Sequence, residues 1–258
     1  MASIRNRRLI VGGALVAIAA LAAWALAGGG RAKPTLGLFT TLPIYWAEAG
    51  EMSEMLSGQT RTGWARGELE RRFDLMPLDT LAAPEQGGDP GLADFEYLLL
   101  AQPRALSPAE NVALDDWVRA GGRALVFADP LLTVESRFPI GDRRRPQDVA
   151  LLSPILARWG LEMRFDPAQG AGERTIATDL APLPVNLSGT LHPVAGAPTT
   201  QEDCWIASER VFARCSVGEG EVTVIADAAL FEEGGEVDRR MRPEALEWLV
   251  ESAFADGI

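Results

Sequence analysis

Five residues have types and predicted positions that could do chemistry. Thr40, Thr41, Gln102, Asp129 and Asp227 each fall just where an apolar run predicted as a buried strand stops. In open parallel sheets, ligands bind outside the carboxyl ends of the strands. Two acids there, Asp129 before Pro130 and Asp227 before Ala228, could coordinate a cation or polarise a hydroxyl. An Asp that closes a strand also commonly caps the following turn, so both readings stand. The single histidine, His192, lies between Leu191 and Pro193 with no nucleophile pattern beside it. A structural or exposed histidine is the reading favoured over a general base.

The usual catalytic signatures are missing. The chain carries no G-x-x-x-x-G-K phosphate loop, no G-x-G-x-x-G after a strand and no G-x-S-x-G nucleophile elbow. Neither cysteine sits between a strand and a helix, where a nucleophile would be held. With one histidine and no C-x-x-C, a zinc site is not expected. No catalytic residue, metal or cofactor is assigned, and the chain is expected not to be an enzyme.

The cysteines make a different kind of pair. Two short strands around a turn at Glu209-Arg210 would set 207 opposite 212, 205 opposite 214 and Cys204 opposite Cys215. Directly opposed strand residues have Cα atoms about 4.5–5.5 Å apart, within the range a disulfide accepts. A Cys204–Cys215 bond is therefore expected over two reduced thiols, and an oxidising compartment would preserve it.

Compartment is set by the first residues. Arg5, Arg7 and Arg8 precede an uncharged run from Leu9 to Ala27. One helical crossing of a bilayer needs roughly 20 apolar residues, and flanking arginines favour the cytoplasmic side. Residues 1–30 are expected to be a cytoplasmic basic tip and transmembrane signal anchor, and residues 31–258 an extracytoplasmic α/β domain. Ala25-Leu26-Ala27 before three glycines also fits a cleaved signal peptide, which would release the domain into the periplasm. Either way the expected address is the bacterial inner membrane or periplasm. Beyond residue 30 there are 21 basic and 36 acidic residues, net −15. Such a surface repels phosphate backbones, so nucleic acid is not an expected partner.

The elements that would position the strand-end residues follow from periodicity. Thr35 to Thr40 reads as a buried strand, 62–72 as a helix and 74–78 as a second strand. Tyr97 to Ala101 is a continuous apolar run, as for a strand covered on both faces. Ser107-Pro108-Ala109-Glu110 then reads as a capping box with proline in the first turn. Leu114, Trp117 and Val118 give that helix a core stripe, Gly121-Gly122 ends it, and residues 123–128 form the next strand. Strand, helix and strand make a right-handed parallel unit. A helix with Leu152, Ile155, Leu156 and Trp159 on one face follows, capped by Ser153 or kinked at Pro154. Residues 161–165 read as a strand, 174–227 as a β-rich section, and 243–254 as a last helix. The fold class is thus α/β: a mostly parallel sheet flanked by helices, a β-rich C-terminal portion and one N-terminal transmembrane helix.

The stretch Leu98-Leu99-Leu100-Ala101-Gln102-Pro103, then Leu106-Ser107-Pro108-Ala109-Glu110, then Trp117-Val118-Arg119-Ala120-Gly121-Gly122 and Val126-Phe127-Ala128-Asp129-Pro130 resembles a known family. It is similar to the uncharacterised ABC-transport auxiliary domain of gliding-motility type, related to GIFT-like and class I glutamine-amidotransferase-like folds. The resemblance runs from Thr35 to about Asp227. It implies a flavodoxin- or amidotransferase-like sheet and an extracytoplasmic domain beside an ABC permease and its ATPase. It implies no catalytic residues. Active amidotransferase relatives need a nucleophilic cysteine after a strand, where this chain has Gln102-Pro103 or Asp129-Pro130. The expected function is a non-enzymatic auxiliary domain acting by protein contacts or ligand binding. The alternatives are an exported amidotransferase-like hydrolase, or an envelope- or sugar-binding module unconnected to a transporter.

Overall fold

Leu98, Leu99 and Leu100 are all sealed from solvent, because alternate residues of a strand face opposite sides and both sides of this strand are covered. The computed structural model describes residues 33–46, 63–83, 91–178, 181–194, 204–232 and 240–255. Leu9–Ala27 lies outside them. No helix among the described residues is long and apolar enough to cross a membrane.

The strands are β1 Thr35–Thr40, β2 Asp74–Pro77, β3 Tyr97–Ala101, β4 Arg123–Phe127, β5 Leu161–Arg164, β6 Arg174–Ile176, β7 Leu183–Val185, β8 Thr190–Pro193, β9 Cys204–Ala207, β10 Phe212–Val217 and β11 Gly220–Ile225. The helices are α1 Trp64–Arg72, α2 Pro108–Arg119, α3 Ser153–Arg158 and α4 Met241–Phe254. One seven-stranded sheet has the order β2-β1-β3-β4-β11-β10-β9. Its first five strands run parallel, and β10 and β9 complete it antiparallel. The pairs β5–β8 and β6–β7 are separate antiparallel ribbons.

Two cores flank the sheet. Leu36, Leu38, Leu99, Leu125 and Phe127 point to one, where Leu69 of α1 and Leu246, Leu249 and Val250 of α4 meet them. Leu98, Leu100, Ala124 and Val126 point to the other, against Leu114 and Val118 of α2 and Ile155 and Leu156 of α3. The apolar run at 97–101 thus feeds both layers.

The expected capping box is present at α2. Ser107 Oγ accepts the Glu110 N–H at 3.2 Å, and the Glu110 carboxylate accepts the Ser107 N–H at 2.9 Å. Arg104 adds a bond to Glu110 at 2.7 Å and holds that carboxyl down at about 2. At the other end Gly121 takes φ +112°, a value that favours glycine. A Cβ on Gly220 would lie 2.0 Å from the Val118 carbonyl oxygen, so the start of β11 is pressed onto the end of α2.

The cap expected at Ser153 shifts by one residue. Ser153 is inside α3, Leu152 holds the cap position, and no side chain caps this end. Pro154 sits in the first turn, where its missing N–H has no helical partner to lose. The strand expected at 161–165 forms, but outside the main sheet. Conversely β11, the best strand of the β-rich section, joins the parallel sheet between β4 and β10. The hairpin register is as expected: Ala207 faces Phe212, Trp205 faces Arg214, and Cys204 faces Cys215. Cys204 and Cys215 are bonded, which ties the edge strand β9 to its neighbour.

Candidate functional site: buried carboxylates at the strand ends

All five strand-end residues gather at the carboxyl end of the sheet, each hydrogen-bonded there to backbone groups of neighbouring segments. Thr40 closes β1: its hydroxyl donates to the Ala101 carbonyl at 2.6 Å and accepts the Leu42 N–H at 2.9 Å. Thr41 donates to the Gln102 carbonyl and accepts the Gln147 N–H at 2.9 Å. Gln102 follows β3 with φ 44° and is wholly buried. Its Oε1 accepts the Asp129 N–H at 2.8 Å. Its Nε2 donates to the carbonyls of Gln147 at 2.8 Å and Asp129 at 3.2 Å. A side chain that imitates a backbone amide in this way extends the β3–β4 ladder one step past the strands.

Asp129 and Asp227 follow β4 and β11 and are 0% and 1% exposed. Asp129 accepts the N–H of Leu131 at 2.8 Å and of Ala228 at 3.1 Å. Asp227 accepts those of Ala229 at 2.6 Å and Asn186 at 2.9 Å. Neither carboxylate has an arginine or lysine among the groups that shift it. Burial pushes the Asp129 carboxyl up to about 7, with the Glu232 charge adding to it. Burial and the Asp129 charge push Asp227 well above the ordinary carboxylate range. Desolvation disfavours the charged form, and a second carboxylate beside it adds to the cost.

Five further residues complete the cluster, and sequence reasoning did not single them out. Thr133 donates to the half-buried Glu232 carboxylate, and Asn186 Nδ2 donates to Thr133 at 3.0 Å. Burial, with the Glu173 charge adding, raises Glu232 as well. Arg242 and Glu173 form an ion pair, 2% and 3% exposed, and Arg242 also donates to the carbonyls of Ala229 and Leu230. Arg242 stands in the first turn of α4, where a cation opposes the helix dipole. That misplaced charge is the signal in the sequence that could have found it.

This arrangement gathers chain segments around two buried carboxyls whose burial favours the protonated form. Among the described residues no group of three His, Cys, Asp or Glu side chains could hold a metal ion. His192 stands apart on the β5–β8 ribbon, opposite Glu162 and 3.0 Å from the Thr190 hydroxyl. Partial burial, with Arg210 and Arg164 nearby, lowers its pKa.

The opposite edge of the sheet carries a cleft of about 530 Å³ lined by Pro34, Phe73, Tyr97, Val250 and Phe254. Its aromatic rings pack on one another, with centroids 4.9 Å apart for Tyr97–Phe254 and 5.8 Å for Phe73–Tyr97. Arg72 bridges Glu247 and Glu251 at the rim.

A family model described as "ABC-type uncharacterized transport system" matches residues 33–180. No curated protein matches the chain. Among solved structures the chain is similar to the exo-beta-1,4-mannosidase Op5Man5 from Opitutaceae bacterium strain TAV5, at 14% identity and a TM-score of 0.49 over 87% of this chain and 36% of that one. It is similar to the mmIFT52 N-terminal domain at 14% identity and a TM-score of 0.49, over 88% and 99% of the two chains. A beta-galactosidase from Rahnella sp. R3 follows at 12% identity and a TM-score of 0.46, over 91% and 33%. The chain therefore spans about a third of the length of the two glycosidases.

Proposed function

Because the chain belongs to the ABC-type uncharacterized transport system family, we propose that it is a non-enzymatic auxiliary domain, attached to the bacterial inner membrane through Leu9–Ala27, that contacts a permease and its ATPase from the periplasmic side. The family match over 33–180 carries this reading, since it covers β1 to β6 with α1 to α3. The apolar run behind three arginines supports the attachment. The disulfide is consistent with an oxidising compartment. In this reading Thr40, Thr41, Gln102, Asp129 and Asp227 form the edge where a ligand or a partner loop would be sensed. Affinity purification of the full chain from detergent-solubilised membranes tests it: a permease and an ATPase should be recovered together, and recovery of neither would overturn it.

One observation favours a second reading, an exported hydrolase. A carboxyl raised to about 7 has the acidity a general base needs at neutral pH. Against it, Asp129 is sealed from solvent, and its carboxylate accepts, among the described residues, the backbone N–H groups of Leu131 and Ala228. Hydrolysis of an ester and amide panel, lost on Asp129→Ala, would establish that reading in place of the first.

A further inference from the structure

We propose that Asp129 and Asp227 form a proton-operated latch, closing one end of the sheet while both carboxyls are protonated and loosening it as the pair starts to ionise. The latch does not depend on what the domain binds. Strands β4 and β11 are parallel neighbours with Phe127 opposite Ile225, so two residues further on Asp129 and Asp227 emerge side by side. Their carboxylate oxygens accept N–H groups of Leu131 after β4, Ala228 and Ala229 after β11, and Asn186 after β7. Two side chains thereby gather three segments that no strand ladder holds there.

The charged and titratable groups around them are set by the packing elements. Glu232 arrives from the end of the short 3₁₀ turn Ala229–Phe231. Arg242 arrives from α4 but pairs with Glu173 and with the carbonyls of that same turn. Gln102, Thr133 and Asn186 are neutral. Losing a proton therefore places negative charge, with no cation paired to it, in a site closed to water. Two carboxylates sharing a site cannot both ionise without cost. The cost falls if the segment 226–232, whose N–H groups cover both carboxylates, opens enough to let water reach them. Burial pushes the carboxyls of Asp129, Asp227 and Glu232 all upward, toward the protonated form.

Hydrogen exchange read by mass spectrometry on the full chain in detergent tests this, at about pH 5.5 and about pH 8, either side of the Asp129 value. After correction for intrinsic exchange, peptides covering 226–232 and 183–190 should exchange roughly tenfold faster at the higher pH, while 97–101 stays unchanged. Asp129→Asn should abolish that difference. Glu232→Gln removes a neighbouring negative charge, so the pair ionises more easily and the midpoint of the change should move to lower pH. Equal protection of 226–232 at both pH values would overturn the latch. If Asp129→Asn does not fold, a midpoint unmoved by Glu232→Gln would overturn it equally.

Discussion

At the carboxyl ends of β4 and β11, two carboxylates lie sealed beneath backbone amides. At the amino ends of β1 and β3, Phe73, Tyr97 and Phe254 pack ring on ring beside an open cleft. Both edges close the same sheet. The polar edge does so with directional bonds to named amides, whose strength depends on protonation. The apolar edge does so by burial and ring packing, which no proton changes. Titration and salt therefore separate the two edges where loss of stability alone would not.

The largest effect is expected at the polar edge. Arg242→Ala leaves Glu173 buried without its partner and should cost about 4 kcal/mol in urea unfolding. Because Arg242 also holds Glu232 down, the loss should grow between mildly acid and neutral pH. At the apolar edge Phe254→Ala should cost about 3 kcal/mol by removing a buried ring, with the same loss at every pH in that interval. A loss that varied with pH would break the contrast.

The wild-type chain should show the polar edge directly. Asp129 binds its proton more tightly folded than unfolded, so its stabilising contribution is full below the unfolded value of about 4 and is lost as pH rises through about 7. Glu110 has the opposite sign: its contribution is present above its unfolded value and lost as pH falls through about 2. Between about pH 4 and about pH 7 stability should therefore fall, by on the order of 2 kcal/mol, in urea midpoints measured across that interval. Asp129→Asn should flatten the curve. The smallest effect belongs to the rim of the apolar cleft, where Arg72→Ala should cost under about 1 kcal/mol and nothing measurable at high salt.

Much of this frame is legible in local pattern. The unit β3–α2–β4 is written in a double-sided apolar run, a capping box and two glycines, all within reach of one another along the chain. The hairpin that places Cys204 against Cys215 is similarly local. The position of β11 is not, because 221–226 would make an equally good strand in a separate β-rich section. Its place between β4 and β10 depends on pairing with a strand about a hundred residues earlier. Asp115 shows the same limit. Next to Asp116 it reads as part of a solvent face, yet it is buried and accepts from Arg158 at 2.8 Å and Trp159 at 3.2 Å. Those partners are the last residue of α3 and the residue after it. At the candidate site, Gln102, Asp129 and Asp227 were visible as polar residues closing apolar runs. Thr133, Asn186, Glu173 and Glu232 sit in loops whose local sequence gives no reason to bury them.

The central place of β11 also bears on how the molecule comes into being. The stretch that matches the family, 33–180, ends before β11 begins. Made alone, it would leave β4 as a bare edge, apolar from Ala124 to Phe127, the kind that invites pairing with another chain. The sheet closes only once residue 225 has emerged, some hundred residues after β4. Until then the growing chain must be shielded or kept apart from its neighbours, so the homologous stretch is a unit of ancestry without being a unit of folding.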